Sequence, residues 1–271
     1  PIIYHAGSNL AIDKVTLDGK TVQFRRDGEK IIVQSTAKRG QKVVVGTTFR
    51  AVSDPSGGLM AYGGWHWVEP TAERPTRVGF WTQGETELNR QWVPTWDYPN
   101  DMATSETLTT VPADWMVISN GDLVANTLQG TQRTLHWRMK QPHVTYLMSL
   151  VGGPFDIGRD KWQNIDLWYV VPRGSQNLIE DSFSDTKDML DFFSRVTGVV
   201  YPWPKYAQNA VWEFGGGMEN VSATTLGAEA LTDRREGFRN MSSLNAHELA
   251  HQWFGDLVTC KDWGHIWLNE S

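Results

Sequence analysis

Two histidines and a glutamate stand close together in the sequence, in the order His247-Glu248-Leu249-Ala250-His251. In a helix with 3.6 residues per turn, His247 and His251 lie one above the other, and both imidazoles can bind one metal ion at about 2.0 to 2.1 Å. Glu248 is then offset by about 100° around the helix, so it lies beside the ion. A carboxylate in that place can take a proton from a water on the metal, and the pattern therefore predicts that Glu248 is a general base.

A catalytic zinc ion needs a third protein ligand and one open position. Glu270 meets that need, because the eighteen residues after His251 allow a helix end, a turn and a second helix packed alongside. The histidine pattern alone also occurs by chance in surface helices. Here apolar residues flank it, and burying a histidine pair beside a glutamate costs free energy unless a ligand binds them. The sequence predicts one zinc ion per chain.

A second candidate segment, residues 215–220, follows a predicted strand that ends at residues 211–212. Gly216 and Gly217 allow another backbone to approach closely, and an extended edge here could pair with a substrate peptide as an added strand. Glu219 next to the metal would bind a protonated α-amine, which limits cleavage to the first residue of a peptide. From these residues alone, a tight glycine turn with Glu219 in solvent is the favoured interpretation, and the zinc motif about thirty residues later reverses that balance.

These motifs together resemble those of the M1 (gluzincin) aminopeptidases. The histidine pair followed after eighteen residues by Glu270 is similar to the zinc motif of that family. Residues 216–220 are similar to its GxMEN exopeptidase motif, with Gly217 where many members have alanine. The resemblance implies that His247, His251 and Glu270 bind zinc and that Glu248 is the general base. It further implies a substrate-binding role for Gly216, Gly217, Met218, Glu219 and Asn220, with Met218 lining the pocket for the first side chain.

Further matches to the same family lie in residues 82–85, 96–99, 112–115 and 119–121, in the order and spacing of the M1 amino-terminal domain. By that resemblance Gln83 and Glu85 contact the substrate, and Glu85 is a second carboxylate for its amino group. Without the family, Glu85 would be an ordinary exposed acid.

The M1 pattern also includes an oxyanion-stabilising tyrosine and a carboxy-terminal helical domain, both expected beyond Ser271. An oxyanion donor contributes about 10² to 10³ in rate. We therefore expect this chain alone to be poorly folded or inactive.

The elements that position these residues are predicted to fall into two domains of an α+β fold. Residues 11–156 have short Val-, Thr-, Ile- and Trp-rich runs between turn dipeptides such as Asp18-Gly19, which favours strands. After residue 156, apolar residues recur at helical spacing. By the family resemblance, a β-rich, saddle-like amino-terminal domain (1–156, truncated at its start) precedes the first part of a thermolysin-like zinc-peptidase domain (157–271, truncated at its end).

Individual elements can be predicted from the same patterns. Strands are expected at residues 42–48, 144–151 and 167–171, and helices at 177–197 and 241–254. Ser242 or Ser243 is available to cap the second helix. Residues 54–75, which are dense in Gly, Pro and Trp, are expected to form a long ordered loop.

Composition excludes several classes of partner and site. The 271 residues carry a formal net charge of -6, so the chain lacks the basic stripe that binds nucleic acid. The single cysteine allows neither an intrachain disulfide nor a thiolate metal cluster. No apolar run approaches the roughly 18 residues that span a bilayer. The compartment and the oligomeric state stay open.

The sequence thus predicts a zinc-dependent aminopeptidase that hydrolyses the N-terminal residue from peptides with a free N-terminus. An M1-like epoxide hydrolase, using the same zinc on a lipid epoxide, is one alternative. A noncatalytic M1-like scaffold is another, although such a scaffold has no physical need for intact zinc ligands. A thermolysin-like endopeptidase is disfavoured, because Glu219 would occupy the space of upstream substrate residues.

Overall fold

The computed structural model describes residues 1–51, 63–233, 235 and 241–270. The chain divides into two compact units, one of Pro1–His66 with Thr82–Tyr98 and one of Trp67–Trp81 with Pro99–Ser271. The strands of the described residues, in chain order, are β1 Ile2–His5, β2 Leu10–Leu17, β3 Lys20–Thr21, β4 Phe24–Asp27, β5 Lys30–Val33, β6 Val45–Ala51, β7 Gly64–Val68, β8 Gly79–Gln83, β9 Met102–Pro112, β10 Met116–Ser119, β11 Asp122–Gln129, β12 Gln132–Val144, β13 Leu150–Gly153, β14 Phe155–Trp162, β15 Ile165–Pro172, β16 Lys205–Val211, β17 Gly217–Met218 and β18 Ala223–Gly227.

Helices lie late in the described chain. They are α1 Ile179–Phe183, α2 Thr186–Thr197 and α3 Ser242–Ala250. Short 3₁₀ segments occur at Asn89–Gln91, Thr145–Leu147, Gln176–Leu178, Ala228–Ala230 and Trp263–Leu268. Within the described ranges, no helix has both the length and the apolar character needed to cross a membrane.

The first unit contains two small antiparallel sheets, with strand orders β1-β5-β4 and β3-β2-β6. The turn between β2 and β3 is formed by Asp18 and Gly19, both with positive φ, as the Asp-Gly dipeptide predicts for a two-residue hairpin. A cluster of fully buried apolar residues forms its core: Ala6, Val15, Ile31 and Val33.

In the second unit, β11, β12 and β9 form an antiparallel sheet with one buried face. Leu135, Trp137 and Met139 occupy every second position of β12 and are at most 1% exposed. This period of two is what a sheet with one face in water requires.

A five-stranded sheet of order β14-β15-β16-β18-β17 carries the candidate site segment. Strands β15, β16 and β18 run parallel, with α1 and α2 in the connection between β15 and β16. Every residue of β16 and β18 is buried, as expected for parallel strands covered on both faces. Strand β17 pairs antiparallel with β18 and forms the edge of the sheet.

The β-rich first part and the strand at 167–171 are confirmed, but other predictions need correction. The strand expected at 42–48 begins only at Val45. The strand expected at 144–151 is wrong: residues 145–147 form a 3₁₀ turn, because the side-chain amide of Asn120 donates to the carbonyl of Leu147 at 2.9 Å and accepts from the amide of Ser149 at 2.9 Å. Of the loop expected at 54–75, residues 54–62 lie outside the described residues, and β7 occupies 64–68.

Both predicted helices are shorter than expected. The helix at 177–197 is interrupted between α1 and α2, and just before the break, within α1, the carbonyl of Ser182 accepts a hydrogen bond from the Asn245 side chain at 2.7 Å. The helix at 241–254 ends at Ala250, and neither predicted serine caps it. The residue at its N-cap is Met241, whose backbone amide donates to the hydroxyl of Thr232 at 3.0 Å.

Candidate metal centre and substrate-recognition segment

Helix α3 brings the two histidines together as its spacing predicts. His247 lies in its last turn, and His251 follows its end with φ -58° and ψ -25°, still in the helical region. The Nε2 atoms of the two rings are 3.2 Å apart. His251 is 4% exposed, whereas the His247 side chain is 53% exposed. One imidazole is therefore enclosed by its surroundings, and the other is about half open to solvent.

Glu270 completes a group of three donors. Its Oε2 lies 3.7 Å from Nε2 of His247 and 3.6 Å from Nε2 of His251. The second helix expected before it is instead the 3₁₀ segment Trp263–Leu268, with a kink at His265. The Asp262 carboxylate begins that segment by accepting from the amide of Gly264 at 2.8 Å. A tighter and shorter element than expected therefore precedes Glu270.

The donor set fits zinc. Two imidazole nitrogens and a carboxylate oxygen are typical of catalytic zinc sites, and ligands about 2.0 to 2.1 Å from a tetrahedral ion stand about 3.3 Å from each other. The observed separations of 3.2, 3.6 and 3.7 Å approach that value. All three ligand atoms lie within 4.8 Å of one another, so little movement is needed to close around an ion.

The hydrogen bond of His251 and the pKa of His247 both suit metal binding. Nδ1 of His251 lies 3.0 Å from the carbonyl of Phe254, and a proton donated there leaves the Nε2 lone pair for a metal. Partial burial, with a further contribution from His251, lowers the pKa of His247. Burial therefore favours the neutral imidazole, which is the form that coordinates metal.

Glu248 lies against the recognition segment. It is 3% exposed, and one ligand atom each from Glu219, Glu248 and His251 lie within 4.8 Å of one another. A Cβ built on Gly217 would overlap the Glu248 carboxylate. The glycine thus gives the carboxylate room to lie directly on the backbone of β17.

The glycine segment is an ordered strand edge. Gly216 has φ +78°, which favours glycine, and its carbonyl accepts from the amide of Gly227 at 2.9 Å. Met218 is 1% exposed and Glu219 is 3% exposed, so the alternative of a solvated Glu219 is wrong. Burial, reinforced by the nearby Glu270 carboxylate, raises the pKa of Glu219 to about 7.

The Asn220 side chain is used within the protein. Its Oδ1 accepts from the hydroxyl of Thr225 at 2.8 Å, and its Nδ2 is 3.5 Å from the carbonyl of Met148. Its own carbonyl accepts from the amide of Ala223 at 2.8 Å. These contacts hold the turn after β17, and direct substrate binding by Asn220 stays a prediction.

Gln83 and Glu85 belong to the first unit, at and just after the end of β8. The side-chain oxygen of Gln83 accepts from the backbone amides of Gly84 at 2.8 Å and Glu85 at 3.4 Å. It therefore shapes the turn that presents Glu85, which is half-buried. The substrate contacts predicted for both residues stay predictions.

Sequence reasoning missed three buried residues around Glu219. Gln252 and Asn269 stand directly beside a candidate ligand in the sequence, a signal that could have found them. Tyr146 gave no such signal, because it reaches Glu219 across 73 residues. All three are at most 2% exposed.

Two family models match the chain. The peptidase M1 N-terminal domain matches residues 3–147, and the peptidase family M1 domain matches residues 182–271. Among curated relatives, tricorn protease-interacting factor F2 of Thermoplasma acidophilum is 31% identical over 269 residues, covering 97% of this chain and 32% of the relative. Probable aminopeptidase 2 of Sulfurisphaera tokodaii is 33% identical over 195 residues, covering 70% of this chain and 25% of the relative.

Solved structures share the fold. An M1 zinc metallopeptidase from Deinococcus radiodurans superimposes with a TM-score of 0.81 at 24% identity, covering 99% of this chain and 60% of that one. The chain thus spans a third or less of the length of these two curated relatives. Since the two family models account for residues 3–147 and 182–271, the chain belongs to peptidase family M1.

Proposed function

We propose that the full-length protein is a zinc-dependent aminopeptidase that removes the N-terminal residue from peptides. The observation that carries this proposal is the closeness of a buried carboxylate to the metal donors. Ligand atoms of Glu219, Glu248 and His251 lie within 4.8 Å of one another, and His251 also belongs to the group with His247 and Glu270. The carboxylate of Glu219, which would bind an amine, therefore lies next to the donors that would bind a metal ion.

His247, His251 and Glu270 would hold the ion, one per chain. Bound zinc supplies a Lewis acid that polarises a carbonyl group and acidifies water. Glu248, at 3% exposure, is shielded from bulk water and close to the donors. It would take the proton of the attacking water and return it to the leaving amine, with Gly217 leaving its carboxylate room to do so.

Glu219 would bind the protonated α-amine of the substrate. Removing a carboxylate from water disfavours its charged form, and a cationic partner offsets that cost. The raised pKa of Glu219, about 7 and caused first by burial, reports that cost. A bound ammonium group would lower it again. A peptide with a blocked amino end offers no cation, which favours cleavage of the first residue only.

The remaining assignments follow the family resemblance. Gly216 and Gly217 would align the substrate backbone along the edge strand β17, and Met218 would line the pocket for the first side chain. Glu85, supported by Gln83, would be a second carboxylate for the amine. A division into a domain of residues 1–156 and a peptidase domain of 157–271 is part of the same proposal.

The test uses the full-length protein and a pair of chromogenic substrates, an aminoacyl anilide and its N-acetylated twin. We expect zinc-dependent release of the chromophore from the free amine only. Comparable cleavage of both substrates would remove the role given to Glu219. Cleavage of neither by zinc-loaded protein would contradict the aminopeptidase and favour the epoxide hydrolase or the scaffold.

A further inference from the structure

Gln252 holds the backbone of the recognition segment. Its side chain is fully buried, its Nε2 donates to the carbonyl of Glu219 at 2.8 Å, and its Oε1 accepts from the amide of Ser222 at 2.8 Å. The hydroxyl of Tyr201, which donates to the carbonyl of Lys205 at 2.8 Å, also lies 3.3 Å from Oε1. The side-chain amide of Gln252 thus forms hydrogen bonds with the backbone of Glu219 and of Ser222, on both sides of the turn that follows β17.

Tyr146 holds the carboxylate of the same residue. Its hydroxyl donates to Oε1 of Glu219 at 3.1 Å and accepts from Nδ2 of Asn269 at 3.2 Å. Oδ1 of Asn269 in turn accepts from the backbone amide of Cys260 at 3.0 Å. The ring of Tyr146 packs edge-on against Trp263, with centroids 5.1 Å apart. Packing therefore holds the ring of Tyr146, and two hydrogen bonds orient its hydroxyl.

Both sets of hydrogen bonds to Glu219 involve a residue that neighbours a candidate metal ligand in the sequence. Gln252 directly follows His251, and Asn269 directly precedes Glu270. A displacement of either ligand segment would move a hydrogen-bond partner of the recognition segment. Two paths of hydrogen bonds thus link Glu219 to the segments that carry the metal ligands. One runs from its backbone carbonyl to Gln252, and the other from its carboxylate through Tyr146 to Asn269.

We propose that Gln252 and the Tyr146–Asn269 pair are positioning residues that set the distance between Glu219 and the metal ligands. This inference rests on the proposed function, in which Glu219 binds the substrate amine. The distance then decides which peptide bond lies at the metal. A misplacement of about 1 Å can cost about a hundredfold in rate, so the two paths have a direct effect on turnover.

Two variants separate the paths. Tyr146→Phe keeps the ring and removes only the hydroxyl that orients the Glu219 carboxylate. Gln252→Glu keeps the shape but replaces the donor facing the Glu219 carbonyl by an acceptor. Hydrogen bonds to charged groups have net values that correspond to about tenfold to a hundredfold in equilibrium constant. For the free-amine anilide, we expect KM to rise about tenfold in Tyr146→Phe, with a smaller change in kcat.

Matched controls change the same chemistry elsewhere in the second unit. Tyr169 is buried and stacks on Phe183. Gln208 is 1% exposed and accepts from the Thr186 hydroxyl at 2.7 Å. Tyr169→Phe and Gln208→Glu therefore reproduce the loss of a buried hydroxyl and the burial of a new carboxylate. Neither is expected to change KM for the free amine.

The decisive readout is independent of turnover. The amide of the best-cleaved amino acid is titrated by calorimetry into full-length, zinc-loaded protein that carries Glu248→Gln, with and without each variant. We expect about tenfold weaker binding with Tyr146→Phe or Gln252→Glu, unchanged binding with the controls, and full zinc content throughout. Tyr146→Phe decides the question if Gln252→Glu does not fold.

The two hypotheses fail in different ways. Amide binding and KM unchanged by Tyr146→Phe would overturn the positioning role while the aminopeptidase stands. Inactivity of zinc-loaded wild-type protein on the free-amine anilide would instead overturn the proposed function. Equal weakening by Tyr169→Phe would assign the effect to general stability and would also overturn the inference.

Discussion

Polar side chains are exposed to solvent in one sheet of the second unit and buried in another. In the sheet of β9, β11 and β12, Glu106 contacts Arg138 at 2.8 Å and also His136, with the Glu106 and Arg138 side chains 43% and 41% exposed. In the sheet that carries the candidate site, Lys205, Gln208 and Asn209 are at most 3% exposed. Water can replace a lost partner in the first sheet but not in the second.

Lys205 is a buried polar group whose hydrogen-bond partners all come from the protein. Its Nζ lies 2.8 Å from the carbonyl of Ser119, 3.0 Å from the carbonyl of Ser222 and 3.3 Å from the Ser222 hydroxyl, which uses all three protons of an ammonium group. Burial lowers the pKa of Lys205 to about 7. The buried ammonium group of Lys205 therefore has one acceptor for each proton, whereas the partners of Glu106 on the exposed sheet can be replaced by water.

The largest effect is expected where a buried polar group would also do chemistry. Glu248→Gln keeps the size of the side chain but removes the proposed general base, so we expect kcat to fall by about 10² to 10⁴. Zinc content, measured by metal analysis, should stay at one per chain. Retained turnover with zinc bound would contradict the role given to Glu248.

The next largest effect is expected at Lys205. Lys205→Met removes three hydrogen bonds and leaves buried acceptors without their donor, which should destabilise the fold by about 1 to 3 kcal/mol. Thermal unfolding of the full-length protein measures it. Lys187→Met is the matched control, because Lys187 is 43% exposed and pairs with Asp160 on the surface. Equal losses in both would break the comparison between buried and exposed polar groups.

The same pair of variants predicts a pH dependence. The pKa of Lys205 is about 7 in the folded state and about 10.4 in an unfolded chain, so the unfolded state binds more protons between these values. Stability contributed by Lys205 therefore rises with pH in that window and is lowest below pH 7. The deficit of Lys205→Met should grow by up to about 1 kcal/mol per pH unit from pH 7 to 9, as measured by denaturant unfolding.

A smaller effect is expected at Gly217. Gly217→Ala places a methyl group where the Glu248 carboxylate lies, so that carboxylate must move away from β17. We expect kcat to fall several-fold to about tenfold with KM little changed, since a misplaced base costs rate more than binding. Kinetics on the free-amine anilide measure this. An unchanged kcat would mean that Glu248 reaches the water from either place.

The smallest effect is expected on the exposed sheet. The neighbouring Arg138 and His136 lower the pKa of Glu106, but the group is open to solvent. Glu106→Gln should leave the unfolding midpoint and the kinetics of the full-length protein unchanged within error, because exposed ion pairs contribute little. A clear loss of stability would show that this face is less exchangeable than its exposure indicates.

Local patterns predicted the parts of the molecule that local interactions determine. The histidine pair, the Asp18-Gly19 hairpin and the buried strand at 167–171 depend on spacing and turn chemistry within a few residues. The prediction of a strand at 144–151 was wrong because the side chain of Asn120 donates a hydrogen bond to the carbonyl of Leu147. The expected serine caps are absent, and the hydroxyl of Ser242 instead donates to the carboxylate of Asp185, 57 residues away, at 2.7 Å. No local pattern carries such distant contacts.

The contacts of Tyr146 also set the order in which the site can form during synthesis. Its hydrogen bond to Glu219 spans 73 residues and the one from Asn269 spans 123. At about 5 to 20 residues per second, a ribosome completes the strand before Tyr146 well before it adds Asn269 and Glu270. The carboxylate that would recognise a substrate therefore cannot be fully anchored before Asn269 has been added. Until then the candidate site on the growing polypeptide stays incomplete.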